Sequence, residues 1–248
     1  MPSYATPSVL PDSSAAPAVC AACAVRNSSL CGVLSDGEIG DLNAIAHRKR
    51  LQPGQFHVLE GDRSVEFANV TSGVAKLVRG SGDGRTQIVG LLFPSDFIGG
   101  ALGTSAHRQE PHSIEAASPL ELCLFPRDGF QRLMRRYPAL EHKLLERTLT
   151  DLEVAREWMV LLGRKTAQER VATFLLYVAD RMARHGCHAG LGFDLPLGRS
   201  DIADHIGLTL ETVSRQITKL RSDGILEMHG ARHVLAVDRD RLAERAGF

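Results

Sequence analysis

Ser200-Asp-Ile-Ala-Asp-His-Ile-Gly207, followed by Leu208, Thr209 and Leu210-Glu-Thr-Val-Ser-Arg-Gln-Ile-Thr-Lys-Leu-Arg-Ser222, reads as two short helices joined by a tight turn. Ser200 is the expected N-cap of the first helix and Gly207 its stop. Leu208 begins the turn, and Thr209 caps a second helix from Leu210 to Ser222. On that helix Val213, Ile217 and Leu220 share one face, which marks the buried side. Glu211, Thr212, Ser214, Arg215, Thr218 and Lys219 stay largely outside. This is the pattern of a helix-turn-helix, whose second helix sets its first turns against the base edges of double-stranded DNA. Arg215 can donate a bidentate pair to guanine O6 and N7, and Glu211 can accept from cytosine N4. Ser214 can serve a base or a phosphate. A plainer reading makes Glu211 and Arg215 a surface ion pair four residues apart, of about 0.3 kcal/mol. The two readings are compatible, since a glutamate can orient the arginine that reads the base.

Working outward, Ile225–Val237 reads as a β-hairpin turning at Gly230, the wing of such a domain. Upstream, Gly192 to Pro196 reads as a short strand and His185 to Gly190 as a loop. Thr166 to Ala183 is an amphipathic helix carrying Val171, Phe174, Leu175 and Val178 inward. A longer helix is expected from Pro138 to about Leu162, with a length of about 37 Å. Along it Leu145, Leu149, Leu152 and Met159 follow a 3,4 spacing, with Arg156 where one more apolar residue should fall. That seam fits a core helix packed on a sheet or a parallel coiled coil between two copies, and the spacing does not choose between them. Phe130 and Leu133 mark a shorter helix ended near Tyr137-Pro138.

From Leu51 to Phe125 the period changes to that of strands. Phe56–Leu59, Phe67–Val70, Val74–Val78, Gln87–Leu92 and Leu120–Phe125 are separated by turn signals such as Pro53-Gly54 and Gly80-Ser-Gly-Asp-Gly84. Many short strands with glycine-rich turns predict a closed or rolled antiparallel sheet. Before it, Asp36, Glu38, Ile39, Leu42 and Ile45 predict a short helix starting near Ser35, with His47, Arg48, Lys49 and Arg50 in its last turn.

The 248 residues carry 29 basic and 29 acidic side chains, so any DNA-attracting surface is local. No run of about 18 apolar residues suggests a membrane span. Met1 to Val19, rich in Pro, Ala and Ser, lacks the features of an export signal and reads as a disordered tail. A cytoplasmic location is expected. Gly-x-Ser-x-Gly, Walker A and His-Glu-x-x-His patterns are absent, so an enzyme is not expected.

Cys20, Cys23 and Cys31 crowd the front of the chain as Cys-x2-Cys-x7-Cys, and Cys123 lies in a strand-like run far downstream. Four thiolates suit an iron–sulfur cluster and structural zinc equally well, and four core cysteines without a ligand are a third reading. Zinc sites draw thiols as two close pairs, which Cys31 and Cys123 are not. The fifth cysteine, Cys187, sits between His185 and His188 in a loop and reads as incidental.

The chain resembles the CRP/FNR superfamily of bacterial regulators, and within it the branch of the fumarate and nitrate reduction regulator. The resemblance rests on Gly82-Asp-Gly-Arg-Thr-Gln-Ile-Val89, Phe93-Pro-Ser-Asp-Phe-Ile-Gly99, Ala167-Gln-Glu-Arg-Val-Ala172 and Leu208-Thr-Leu-Glu-Thr-Val-Ser-Arg215. It runs from about Cys20 to the C-terminus. It implies an α+β chain with an N-terminal cyclic-nucleotide-binding-like antiparallel β-roll, a long dimerisation helix and a C-terminal winged helix-turn-helix. The implied boundaries are 1–19 for the tail, 20–50 for the cysteine segment and short helix, and 51–137 for the roll. The dimerisation helix takes 138–165 and the DNA-binding domain 166–248.

The resemblance implies a [4Fe–4S] cluster on Cys20, Cys23, Cys31 and Cys123, sensing oxygen. It implies a homodimer seated through Leu145, Leu149, Leu152 and Met159, and RNA polymerase as a partner. Base edges of a palindromic TTGAT-type site would be met by Glu211, Ser214 and Arg215, with Thr212 and Lys219 beside them. Leu210 stands where cyclic-AMP receptor proteins have an arginine, which favours this branch. The seven-residue gap before Cys31 departs from the enteric pattern and resembles rhizobial and photosynthetic members. Competing readings are a thiol-disulfide or zinc-containing regulator, and a small-molecule sensor. The last is disfavoured because Arg108 follows Phe97-Ile-Gly-Gly-Ala-Leu-Gly without a Gly-Glu pair or matched partner for a cyclic phosphate.

Overall fold

The computed structural model describes residues 16–63, 65–80, 82, 84, 86–99, 109–184 and 192–247. Its first element is a single helical turn, α1 (Ala18–Ala21), so the end of the expected tail is helical, while residues 1–15 lie outside the described residues. A 3-10 turn (Leu30–Val33) follows, and then α2 (Asp36–Ile45). Ser35 caps α2, and Glu38 reaches back to the Ser35 amide at 2.8 Å, which satisfies two otherwise orphaned N–H groups.

The expected basic last turn of α2 does not form. His47–Leu51 is a strand, β1, paired antiparallel with β8 (Leu120–Pro126). β1 is the edge of its sheet, where Lys and Arg deter pairing with other chains, so the basic run suits a strand as well as a helix end.

The roll is two four-stranded antiparallel sheets. One runs β1-β8-β3-β6, with β3 at Glu66–Ser72 and β6 at Phe97–Ile98. The other runs β2-β7-β4-β5, from Phe56–Val58, Ser113–Ala116, Ala75–Gly80 and Thr86–Leu92. All five expected strands are present; β1, β6 and β7 are additions. Ala68, Val70, Ala75, Leu120, Leu122 and Leu124 fill the roll interior. A separate cluster joins Leu30, Leu34, Ile39 and Leu42 to Phe67, Phe125 and Phe130, and so seats the cysteine segment on the roll. Phe130 belongs to α3 (Arg127–Arg136), and its ring lies 5.1 Å from Phe67 and 5.5 Å from Phe125. Each such buried ring contributes about 1.5–3 kcal/mol.

The long helix is α4 (Pro138–Arg164), followed by α5 (Ala167–Ala183), which Thr166 caps. The last domain contains β9 (Phe193–Asp194), α6 (Arg199–Ile206), α7 (Leu210–Ser222), the hairpin β10–β11 (Leu226–His229, His233–Val237) and α8 (Arg239–Ala246). α6 starts one residue ahead of Ser200. Gly198 is its N-cap, and Asp201 accepts from the Gly198 amide, so the cap is supplied from within the helix. Its core is continuous with the second sheet of the roll, since Ile88, Leu91 and Phe93 pack with Val171, Phe174, Ile202 and Ile206. The Lys76 ammonium sits between Glu115 at 2.9 Å and Asp201 at 3.0 Å and bridges roll and DNA-reading domain. Among the described residues no helix is long and apolar enough to cross a membrane.

Two histidines make the fold acid-sensitive. His57, on β2, is pushed down to about 4, by burial first and then by Lys49, whose Nζ lies 3.3 Å from His57 Nδ1. Burial also lowers His205, whose Nδ1 lies 2.9 Å from the Ile88 carbonyl oxygen. Both are neutral in the fold, whereas the unfolded chain protonates them near pH 6.5. The unfolded state therefore binds more protons below that pH, and stability falls as pH drops from about 6.5 toward 4. A melting series across this range is expected to show a falling Tm, with a shallower fall in His57→Gln.

Candidate functional site

The four cysteines come from three elements and line one pocket. Cys20 lies on α1, Cys23 just beyond it, Cys31 in the 3-10 turn and Cys123 in the middle of β8. Cys123 is flanked across the ladder by Arg48 of β1 and Asn69 of β3, which places the three side chains on one face of the sheet. The loop above is tightly turned. A Cβ on Gly32 would stand 2.5 Å from the Asn27 carbonyl oxygen, so only glycine fits beside Cys31. Ser29 Oγ accepts from the Cys31 amide at 3.3 Å.

Each described cysteine carries a free thiol. Cys20 Sγ donates to Asn43 Oδ1 at 3.4 Å, and Asn69 Nδ2 donates to Cys31 Sγ at 3.7 Å. Asn69 Oδ1 is buried with no partner. Burial raises the thiols of Cys20 and Cys31, and pushes Cys123 up to about 12 with help from the charge of Cys31. As an empty pocket it therefore favours neutral thiols, and a bound cation is what would make thiolates of them. Arg26 and Arg48 line the same pocket and lower the Cys20 thiol, so they oppose the negative charge that four thiolates would bring.

This donor set fits a metal group, and its spacing bears on which. Among the described residues no three Cys, His, Asp or Glu side chains converge closely enough to hold one ion. A zinc ion needs its four sulfurs at about 2.3 Å from a single point. Four thiols spread around the walls of one pocket suit a group with several attachment atoms, as in an iron–sulfur cluster. Cys187, His185 and His188 lie outside the described residues, as does the stretch 100–108 that includes Arg108.

The reading helix stands as expected. Val213, Ile217 and Leu220 are buried, and Thr209 Oγ1 accepts from the Thr212 amide at 3.2 Å. Glu211, Arg215 and Lys219 are exposed, with Thr212 and Ser214 half-buried. Among the described residues Glu211 makes no ion pair with Arg215. Its carboxyl is held low by its own backbone amide and then by Thr209. Both side chains thus remain available to a duplex. Lys219 is tied to Gln168 of α5 at 3.3 Å.

Arg170, within the stretch 167–172, pins the reader's turn. Its guanidinium donates to the carbonyls of Leu162, Lys165, Ile206 and Gly207, at 2.7 to 3.3 Å. The end of α4 and the end of α6 are capped by one side chain. Gly207 follows in the left-handed region at φ 63°, where a Cβ is strained.

On α4 the two sides differ sharply. Leu140, Leu144 and Leu161 are buried, whereas Leu145, Leu149, Leu152 and Met159 are 55%, 54%, 45% and 72% exposed. The seam is therefore not packed on its own roll, and the core-helix reading does not account for it.

A Crp-like helix-turn-helix domain model matches residues 169–245, and a cyclic nucleotide-binding domain model matches 48–137. This chain belongs to the CRP/FNR family of regulators. It is 41% identical to the transcriptional activator protein FnrL of Cereibacter sphaeroides, over 92% of each chain. It is 38% identical to the nitrogen fixation regulation protein FixK of Bradyrhizobium diazoefficiens, over 85% of this chain and 87% of that one. Among solved structures, FixK2 of Bradyrhizobium japonicum aligns with a TM-score of 0.72 and 34% identity, over 81% of this chain and 96% of that one. A CRP/FNR chain with a Crp-like helix-turn-helix is a DNA-binding transcription regulator. The cysteine segment lies ahead of both matched domains, and only Cys123 falls inside one.

Proposed function

We propose that this regulator is an oxygen-responsive activator that binds a palindromic TTGAT-type site as a homodimer while Cys20, Cys23, Cys31 and Cys123 hold a [4Fe–4S] cluster. The observation that carries the reading is the pocket lined by those four thiols. Similarity reaches FixK-named regulators as well as FnrL, so the pocket and not the likeness supports oxygen sensing. Bound there, the cluster supplies a centre that oxidants dismantle. The chain's own residues do the rest. Cys123 fixes one end of the site to the sheet, while Cys20, Cys23 and Cys31 pin the N-terminal segment over Phe67, Phe125 and Phe130. The pinned state favours pairing of two α4 helices through Leu145, Leu149, Leu152 and Met159. Pairing sets two α7 helices about 34 Å apart, one turn of DNA. The activator descriptions of relatives support RNA polymerase as the further partner.

Anaerobically purified protein is expected to show broad visible absorption that bleaches in air. A colourless protein with stoichiometric zinc contradicts the proposal. Arg215→Ala is expected to cost about 1–3 kcal/mol, or roughly 10- to 150-fold in affinity for the palindrome. It should also relax the preference for guanine at one position of each half-site, as titration against substituted duplexes will show.

A further inference from the structure

The roll, the long helix and the DNA-reading domain meet at one buried carboxylate that the mechanism above leaves unused. Asp96, in the turn between β5 and β6, has 5% of its side chain exposed. Its Oδ2 accepts from the Phe93 amide at 2.9 Å. Arg147 of α4 donates to Oδ1, and Arg181 of α5 donates to both oxygens at 2.5 Å. Arg181 also stacks over Phe93 at 5.0 Å, and Arg147 is steadied by Asp151 at 3.1 Å. One carboxylate thus holds two guanidinium groups from two elements, a geometry intolerant of small shifts.

The residue before it is out of place by ordinary rules. Phe93-Pro94-Ser95-Asp96 is a turn closed by the Asp96 amide on the Phe93 carbonyl at 3.0 Å, with Ser95 at φ 73°. Proline second and a positive φ third is the type II pattern, where glycine is preferred. Ser95 is nonetheless a serine, and it is buried. Its hydroxyl lies 2.5 Å from the hydroxyl of Ser28. Ser28 belongs to the seven-residue gap between Cys23 and Cys31. The cysteine loop therefore touches the turn that grips α4 and α5.

We propose that Ser28, Ser95 and Asp96 form a positioning relay that carries the seating of the cysteine segment to the dimer helix and the DNA-reading domain. The proposal rests on the oxygen-sensing reading for its purpose but not for its contacts. When the segment is seated, Ser28 satisfies the Ser95 hydroxyl and the turn holds Asp96 between its two arginines. When the segment lifts, the Ser95 hydroxyl loses that partner, and the strained turn shifts toward states that seat Asp96 less well. Coupling of this kind is reciprocal, so DNA held by α7 must also favour the seated segment.

That reciprocity gives a test in the metal-free, reduced full-length chain. The alkylation rates of Cys31 and Cys123 by a maleimide are followed by mass spectrometry, with and without a saturating duplex that carries the TTGAT inverted repeat. In the wild type the duplex is expected to slow alkylation at least about fivefold. Ser95→Gly, which the backbone accepts, should still bind duplex yet lose this protection. Ser28→Ala should lose it too, and Ser28→Thr, which keeps the hydroxyl, should retain it. Emission of Trp158, whose ring lies 5.4 Å from that of Tyr177 and 4.4 Å from His205, supplies a second readout at the α4–α5–α6 junction. Its duplex-induced change should vanish in the same variants. Protection in Ser95→Gly and Ser28→Ala equal to the wild type overturns the relay, as does a wild type that shows none. The iron and sulfide content of anaerobic preparations decides the oxygen-sensing reading separately.

Discussion

Cys123→Ser is expected to lose bound iron almost completely and to bind the palindrome no better than metal-free protein. Of the four thiols, Cys123 alone stands on a strand, between Arg48 and Asn69, where ladders on both sides hold its backbone. The other three ride on a turn of helix and a loop that can move with a bound group. A serine oxygen is a harder and shorter ligand, and it leaves the mobile segment tied to nothing on the sheet. The fold should survive, because Cys123 is only partly buried and serine is close to it in size. Anaerobic metal analysis is expected to fall from about four iron atoms per chain to near zero, with Tm of the metal-free form changed by only a few degrees. Cys187→Ser should change neither. Full iron content in Cys123→Ser would remove the sheet ligand from the site.

Leu152→Glu is expected to convert the protein into a monomer and to cut affinity for the palindrome by about a hundredfold or more. Leu152 lies mid-way along the exposed seam of α4, with Leu149 one turn before it and Met159 two turns after. In a paired helix its side chain would be buried against its own copy, and a carboxylate there faces a second carboxylate in an apolar seam. Burying such unpaired charge costs roughly 3 kcal/mol or more, which corresponds to that hundredfold. A monomer then presents one reading helix where the operator offers two half-sites. The single-chain fold should be unaffected, since Leu152 touches water in it. Sedimentation velocity checks the first effect and anisotropy titration the second; a Leu152→Glu protein that remains a tight dimer would place the interface elsewhere.

Much of this architecture is legible in the chain because its signals are local. The helix-turn-helix announces itself through Thr209, Gly207 and the Val213, Ile217, Leu220 face, all recovered in place. The roll strands announce themselves by short apolar runs between glycine turns. β1 was hidden because His47-Arg-Lys-Arg50 has no apolar alternation, and an edge strand needs none. β6 and β7 are two and four residues long, too short for any period to show. The α6 cap moved from Ser200 to Gly198 because Asp201, inside the helix, does the capping.

The cysteines were legible as a set, but not their surroundings. Arg48 and Asn69 reach Cys123 only through strand register, although a polar Asn69 inside Phe67-Ala-Asn-Val70 was a visible oddity. Nothing local pairs Asp96 with Arg147 and Arg181, which lie 51 and 85 residues away. Nor does anything local join Lys76 to Asp201 across 125 residues. Such contacts are set by how the domains dock, and docking is a property of whole surfaces.

The most direct measurement takes one anaerobic preparation and determines its iron, its acid-labile sulfide and its affinity for a TTGAT palindrome, before and after the metal is stripped. About four iron and four sulfide per chain are expected, with affinity at least about tenfold tighter before stripping. Protein without iron and sulfide, or with the same affinity in both states, contradicts the account.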